Sequence, residues 1–261
     1  MKKWIAGIST AVLALVLIVL SVYAYVQFRN NKISKVTIHI ERNNKKGFVN
    51  RKEIAALIGV KKNIIGKTVK AVHTNKIERK INRNPYVQYA DAFFDIQGNL
   101  FVNVKEKIPV IRITNYYGKS CYVDKNGNIF PLSNVFAKRV LIVNGYIKTP
   151  LITGKNINDS IYVKSELPSV FQLARKIQSN SFLKALISQV YVNSQKKIEL
   201  FPEVGNQVIM FGGHIDAEQK LENLEAFYQQ AMANGGWNKY KKINLVYTNQ
   251  VICTKKYGYG K

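Results

Sequence analysis

A single long apolar run near the N-terminus constrains this chain more than any other feature. Residues Ile5 to Val26 carry no charge over 22 positions, and as a helix rising about 1.5 Å per residue they extend for about 33 Å. The hydrocarbon core of a bilayer is about 30 Å thick, so the run is long enough to cross it. We therefore expect a transmembrane helix over residues 5–28, preceded by a short tail of residues 1–4.

The main alternative for this run is a cleaved signal peptide. Lys2 and Lys3 provide a charged start, and residues 22–24 would serve as a small-residue cleavage site. The run is longer than the roughly 7 to 15 apolar residues of a signal peptide, and Tyr23, Tyr25 and Phe28 suit the aromatic belt of a membrane surface. These features favour a retained anchor. Flanking charge leaves its orientation open, because basic residues occur on both sides.

The net charge of +25 raises nucleic acid as a partner, since lysine and arginine neutralise phosphate. The basic residues are spread over nearly every predicted element, however, and no arginine-rich run interleaved with aromatic residues occurs. We therefore predict no nucleic-acid partner. A solvated basic surface and a surface that attracts anionic lipid or cell-wall polymer both stay open.

The segment that follows the apolar run predicts a small domain over residues 33–107. Strict alternation predicts a half-buried strand at Ser34–Glu41. Asn50, with Glu53 three residues later, resembles a capping box, and Gly59 would end the helix that starts there. A second helix at Thr74–Asn82 and strands at Val87–Asp95 and Asn99–Lys105 complete a β-α-α-β-β order.

The remaining residues, 108–261, predict a larger mixed β-sheet domain with flanking helices. Asn126-Gly127 predicts a hairpin turn, because both residues tolerate positive φ. The last predicted element is one long strand, Lys242 to Lys255. The other predicted strands are Val110–Thr114, Ser120–Val123, Asn128–Pro131, Arg139–Asn144, Gln189–Asn193, Lys197–Phe201 and Gln207–Phe211, and the predicted helices are Lys164–Gln178, Phe182–Ile187 and a longer one from Asp216 to Gly235.

The sequence carries no sign of a catalytic, cofactor-binding or metal site. None of the three histidines has a neighbour at metal-ligand spacing, and neither a phosphate-binding glycine loop nor a G-x-S-x-G motif occurs. We therefore predict no small-molecule substrate. Cys121 and Cys253 are the only cysteines, with 131 residues between them. Two buried free thiols are favoured, although spacing alone leaves a disulfide open.

One group of motifs resembles a known family. The segment from Asn84-Pro85-Tyr86-Val87 through Gly98-Asn99-Leu100 to Val102-Asn103-Val104-Lys105-Glu106 and Ile108-Pro109-Val110 resembles the end of the POTRA domain of the bacterial division proteins FtsQ and DivIB. The similarity continues through Tyr122-Val123-Asp124, Phe130-Pro131-Leu132-Ser133 and Val143-Asn144-Gly145 into the β domain of that family. The resemblance therefore covers an anchor, a POTRA domain and a β domain in that order.

The resemblance implies an α+β fold and a non-catalytic scaffold of the divisome. It implies a single-pass protein of the cell inner membrane at the division septum, with residues 1–4 cytoplasmic and the bulk of the chain extracytoplasmic. Members of the family bind FtsB and FtsL and help to control septal peptidoglycan synthesis, and the POTRA domain is a surface for other division proteins. The partner site of the family includes the last strand, which corresponds here to Leu245, Val246, Tyr247, Thr248, Asn249, Gln250, Val251 and Ile252.

Two other functions remain as alternatives. A POTRA-bearing component of polypeptide export would precede an outer-membrane barrel, which needs at least eight alternating strands of about ten residues. The strands predicted after Pro109 are shorter, and helices interrupt them. An anchored cell-wall enzyme would need an ordered group of acids, histidines or a nucleophile.

Overall fold

The computed structural model describes residues 2–42, 46–232, 239–247 and 250–256. It divides into two compact units, Met1–Lys107 and Ile108–Lys261. The mixed α+β fold class is confirmed, with an N-terminal apolar helix, a small domain and a larger mixed sheet.

The first unit begins with one long helix, α1, over Lys2–Asn30. Its segment Ala11–Asn30 is long and apolar enough to cross a membrane, and the large apolar side chains from Val12 to Val26 are exposed. The β-α-α-β-β order that follows is confirmed. Its elements are β1 (Val36–Glu41), α2 (Arg51–Ile58), a π turn (Val60–Ile64), a 3-10 turn (Val69–Ala71), α3 (Thr74–Asn82), β2 (Val87–Phe94) and β3 (Leu100–Glu106).

Local chemistry sets the bounds of α2. The Asn50 side chain accepts a hydrogen bond of 2.8 Å from the backbone N–H of Glu53, which satisfies one of the free donors of the first turn. Gly59 ends the helix at φ 70°, a left-handed conformation that glycine adopts at little cost. The predicted start of this helix at Asn50 and its predicted end at Gly59 are therefore both confirmed.

The small sheet has the order β1-β3-β2, with β1 parallel and β2 antiparallel to β3. Leu100, Val102 and Val104 alternate along β3 toward α2 and α3 and are almost fully buried. Ile54 and Ile81 pack against them from the two helices and are fully buried. The small domain therefore has its own core on one face of its sheet.

The second unit is a nine-stranded sheet in the order β12-β11-β10-β9-β8-β7-β4-β5-β6. Its predicted Asn126-Gly127 hairpin is confirmed, since Gly127 has φ 88° and donates a hydrogen bond to the carbonyl of Asp124. The strands are β4 (Pro109–Thr114), β5 (Ser120–Asp124), β6 (Ile129–Pro131), β7 (Leu141–Gly145), β8 (Ile187–Val192), β9 (Ile198–Pro202), β10 (Val208–Gly212), β11 (Tyr240–Asn244) and β12 (Ile252–Lys255), and the helices are α4 (Leu167–Ser179), α5 (Ser181–Leu186) and α6 (Ala217–Phe227).

A continuous row of buried side chains crosses this sheet and holds it together. The row packs under α4, α5 and α6, which cover one face of the sheet. Its members are opposite one another in the strand register: Ile113, Val143, Val190, Leu200, Ile209, Ile243 and the partly buried Cys253. Each fully buried aliphatic side chain contributes roughly 1.5–3 kcal/mol relative to an exposed one.

The prediction for the end of the chain is wrong in one respect. The sequence predicts one strand from Lys242 to Lys255, whereas the structure has two antiparallel strands, β11 and β12, joined by residues 245–251. The N–H of Leu245 still bonds to the carbonyl of Met210 and so continues the pairing of β11 with β10, and the chain turns just after it, where the Asn244 side chain accepts a hydrogen bond from the N–H of Val246. The contact between Leu245 and Met210 is long-range, so the spacing of apolar residues in the sequence does not indicate it. The predicted end of the α6 region near Gly235 lies outside the described residues.

Replacing Gly145 by alanine should destabilise the second unit strongly. Gly145 has φ 106°, and a Cβ there would lie 2.2 Å from the carbonyl oxygen of Val192. Gly118 is the matched control, because it also has positive φ but has nothing within 4 Å of its Cβ position. We expect Gly118→Ala to cost about 1 kcal/mol and Gly145→Ala about 3 kcal/mol or more. Urea unfolding of the full chain in detergent measures both, and equal midpoints would contradict the clash.

Cys121 and Cys253 should both be free thiols. They lie on β5 and β12, seven strands apart in the sheet, which is about 34 Å at 4.8 Å per strand and far beyond the reach of a disulfide of about 7 Å. Burial raises the pKa of both thiols, so alkylation should still be accelerating as the pH rises past the ordinary thiol pKa of about 8.5 and more thiolate forms. Cys253 should react first, since Cys121 is only 1% exposed. Maleimide labelling followed by mass spectrometry tests this, with Cys253→Ser as control.

Candidate partner-binding edge of the larger sheet

The two outer strands of the nine-stranded sheet, β6 and β12, differ in how their edges are covered. Along β6, the N–H of Ile129 bonds to the carbonyl of Lys155, and its carbonyl accepts from the N–H of Gly154. An isolated bridge between Asn128 and Asn156 extends this cover. In the part of the chain that the structure describes, β12 pairs only with β11. The exposed edge of the sheet is therefore the one at β12.

The β12 strand is held in place from one side. Cys253 is opposite Ile243 of β11 and packs on the large core. Tyr240 at the start of β11 contacts Phe227 at the end of α6, with ring centroids 5.6 Å apart. The hairpin is thus fastened to α6 by apolar contacts, while three of the four residues of β12 are exposed. A strand that is held on one face and exposed along its edge can pair with an incoming strand through its outward backbone N–H and C=O groups.

A buried hydrogen bond supports the end of α6 beside this hairpin. Gln207 donates from Nε2 to the Tyr228 hydroxyl over 2.8 Å, and both side chains are almost fully buried. Burial raises the pKa of Tyr228 to about 12. The phenol therefore stays neutral at physiological pH, and this contact does not respond to ordinary changes in acidity.

The residues predicted to bind a partner are distributed over the connection and the start of β12. Leu245 is only 1% exposed and belongs to the core. Val246 and Tyr247 are 44% and 56% exposed. The Val246 side chain lies close to Gly212, because a Cβ added to Gly212 would be 3.1 Å from a methyl carbon of Val246. Thr248 and Asn249 lie outside the described residues.

The last three predicted residues follow the turn. Gln250 is exposed, and its N–H lies 3.5 Å from the carbonyl of Tyr247. Val251 is partly buried against the core, and Ile252 is 43% exposed. Ile252 is opposite Asn244 in the register, on the face away from the helices, because the neighbouring pair Ile243 and Cys253 faces the core.

Positive charge surrounds this hairpin, a local feature that the net charge of the whole chain does not reveal. The last acidic residue of the chain is Glu225. The described lysines that flank the two strands are Lys239, Lys241, Lys242, Lys255 and Lys256. A count of charge by segment, rather than for the whole chain, would have revealed it.

The second unit also has a surface cavity of about 430 Å³ at the start of β7 and the end of α5. Its charged lining consists of Arg139, Lys184 and Glu203, and the first and last of these form an exposed ion pair. A solvated ion pair of this kind contributes little energy and supplies no nucleophile. Among the described residues, no group of three histidine, cysteine or acidic side chains is placed to hold a metal ion.

Comparison with known proteins agrees with both units. A family model described as FtsQ/DivIB, C-terminal related, matches residues 108–254, which is more than half of the chain. A model described as a POTRA-like domain matches residues 31–105. A relative, the cell division protein FtsQ of Salinibacter ruber, is 22% identical over 194 residues, covering 72% of this chain and 71% of that protein. The chain therefore belongs to the FtsQ/DivIB family of cell division proteins.

Proposed function

We propose that this protein is a non-catalytic scaffold of the divisome that binds FtsB- and FtsL-like partners along β12. In this proposal α1 is retained in the cytoplasmic membrane with its N-terminus in the cytoplasm, and both folded units are extracytoplasmic. One observation supports this above the others: within the described residues, β12 is an uncovered edge of the nine-stranded sheet, whereas the opposite edge is covered.

Strand addition is the binding mode that such an edge supports. An incoming extended segment would satisfy the outward backbone N–H and C=O groups of β12, and its alternate side chains would meet the surface beside the strand. Tyr247 and Ile252 offer exposed apolar area there, and aromatic residues are common among the residues that dominate binding energy. Leu245 would contribute to binding indirectly, because its burial in the core holds the turn between β11 and β12 in place.

The charge of the hairpin indicates what the partner segment carries. Five lysines without an acidic neighbour in the same stretch would repel a basic strand and favour an acidic one. Electrostatic attraction of this kind mainly raises the association rate and weakens as salt is added. We therefore expect the bound segment to contain aspartate or glutamate beside its apolar residues.

A negative charge placed on the apolar part of the β12 edge should weaken partner binding. We expect Tyr247→Glu and Ile252→Glu each to weaken capture of the FtsB-like partner by about 30-fold or more, because loss of a central contact costs about 2 kcal/mol. Tyr117→Glu is the matched control, since Tyr117 is 71% exposed in a turn at another place on the same unit. Titration of the full chain in detergent with the purified partner gives the affinities.

Circular dichroism of the same variants separates binding from folding. Native spectra with lost binding support the edge as the site. Native binding by both edge variants would overturn it, and so would an equal loss in the Tyr117→Glu control.

Location in the cell tests the scaffold role separately. A fluorescent fusion of the full chain should form rings at midcell in dividing cells, and Ile252→Glu should weaken those rings if partner binding helps to recruit the protein. A uniform envelope signal from the unaltered fusion would contradict a role at the septum.

A further inference from the structure

We propose that the end of the first unit nearest α1 is itself a binding surface for anionic phospholipid, which holds the POTRA-like domain against the bilayer. We define this membrane-proximal end as residues 29–35, 60–70 and 95–99. The inference rests on the proposed role of α1 as a membrane anchor and adds a second contact with the same membrane. It needs no assumption about which side of the membrane the domain occupies.

The end of α1 is fastened to the domain. Phe28 packs against the small core, and Ile33 is only 1% exposed. The N–H of Ile33 bonds to the carbonyl of Lys67 over 2.8 Å, and the N–H of Gly66 bonds back to the carbonyl of Ile33 over 2.8 Å. The Lys70 ammonium donates to the side-chain oxygen of Asn30 over 2.9 Å. Residues 66–70 therefore lie beside the point where the chain leaves the helix.

The turn between β2 and β3 lies at the same end. The N–H of Leu100 bonds to the carbonyl of Lys35 over 3.0 Å, and the Ser34 hydroxyl donates to Asn99 over 2.9 Å. At Gly98, a Cβ would come within 3.1 Å of the Asn31 side chain. Three stretches that are distant in sequence are therefore assembled around the end of α1.

The assembled surface is strongly basic. Arg29, Lys32 and Lys35 come from the segment that leaves the helix, and all three are exposed. Residues 60–70 add four more exposed lysines: Lys61, Lys62, Lys67 and Lys70.

Asp95 is the single acidic residue in these three stretches. Its carboxylate accepts hydrogen bonds from Asn99 and from the N–H of Gln97, and these contacts lower its pKa. The surface thus carries seven positive charges against one negative charge.

Two isoleucines project from the turns of this surface. Ile96 is 90% exposed at the tip of the β2–β3 turn, and Ile65 is 45% exposed between Ile64 and Gly66. Exposed apolar tips surrounded by lysine are typical of surfaces that enter the headgroup region of an anionic membrane. The lysines attract the anionic headgroups, and removal of the isoleucine side chains from water lowers the free energy of binding.

Distance explains why other lysines of this domain would contribute less. Lys80 and Arg83 lie at the end of α3, next to the start of β2, where Val87 pairs with Glu106 at the far end of the sheet. The six residues of β1 span about 20 Å between the two ends. At a screening length of about 8 Å, the attraction falls to roughly a tenth over that distance.

Hydrogen exchange of the full chain in lipid nanodiscs tests the proposal. We compare discs of phosphatidylcholine with discs that also contain phosphatidylglycerol. In the anionic discs we expect exchange of peptides covering residues 60–70 and 95–99 to slow by on the order of fivefold. Lys32→Glu with Lys67→Glu should remove this difference, because it reverses two of the seven positive charges, both at positions that backbone hydrogen bonds hold beside the end of α1. The matched control, Lys80→Glu with Arg83→Glu, should keep it.

The outcomes are distinguishable from those of the proposed function. If the chain inserts but its residues 60–70 and 95–99 exchange hydrogen at the same rate in both kinds of disc, this inference is overturned and the proposed scaffold role is not affected. A chain that does not enter the discs overturns both the anchor and the lipid contact. Equal protection by soluble polyglutamate in phosphatidylcholine discs would show general binding of polyanions and overturn the assignment to lipid. Equal loss of protection in the Lys80 and Arg83 control would overturn the role of the membrane-proximal end.

Discussion

The structure depends above all on the buried row that runs through Val143, Val190, Leu200, Ile209 and Ile243 beneath the helices of the second unit. A slip of one residue in any pairing would turn a whole strand over and expose its apolar side chains, so this row fixes the register of every strand that it crosses. The register reaches β12 through the pairing of Ile243 with Cys253. As a result Ile252 must face away from the core, and the geometry of the candidate site follows from packing that lies several strands away.

Sequence reasoning succeeded where boundaries are made by neighbouring residues. The cap between Asn50 and Glu53, the helix end at Gly59 and the turn at Gly127 each involve residues within four positions of one another. It failed at the end of the chain, where the chain turns between β11 and β12 within a predicted strand that contains neither glycine nor proline. The polar stretch 248–250 was the available signal for a turn there. Of the candidate site, family resemblance indicated the region and a count of charge by segment would have shown its basicity, whereas the burial of Leu245 needed the fold.

The membrane-proximal end was beyond sequence reasoning for a similar reason. Ile96 looks like an ordinary turn residue, and Lys67 like one of forty basic residues. Their significance comes from hydrogen bonds that bring residues 66–69 and 95–99 to the segment after α1. An isolated exposed isoleucine carries little information. Its position next to the end of a helix that is long enough to cross a bilayer gives it meaning.

The two edges of the large sheet show how a protein can avoid self-association and still bind a partner. An uncovered edge strand invites pairing with any other edge, including that of a second copy. At β6 the chain removes the hazard by covering the edge with residues 154–156. At β12 the flanking lysines would bring like charges together if two copies paired edge to edge, which disfavours that contact. The same lysines would favour an acidic strand, so one set of charges both opposes self-association and selects the partner.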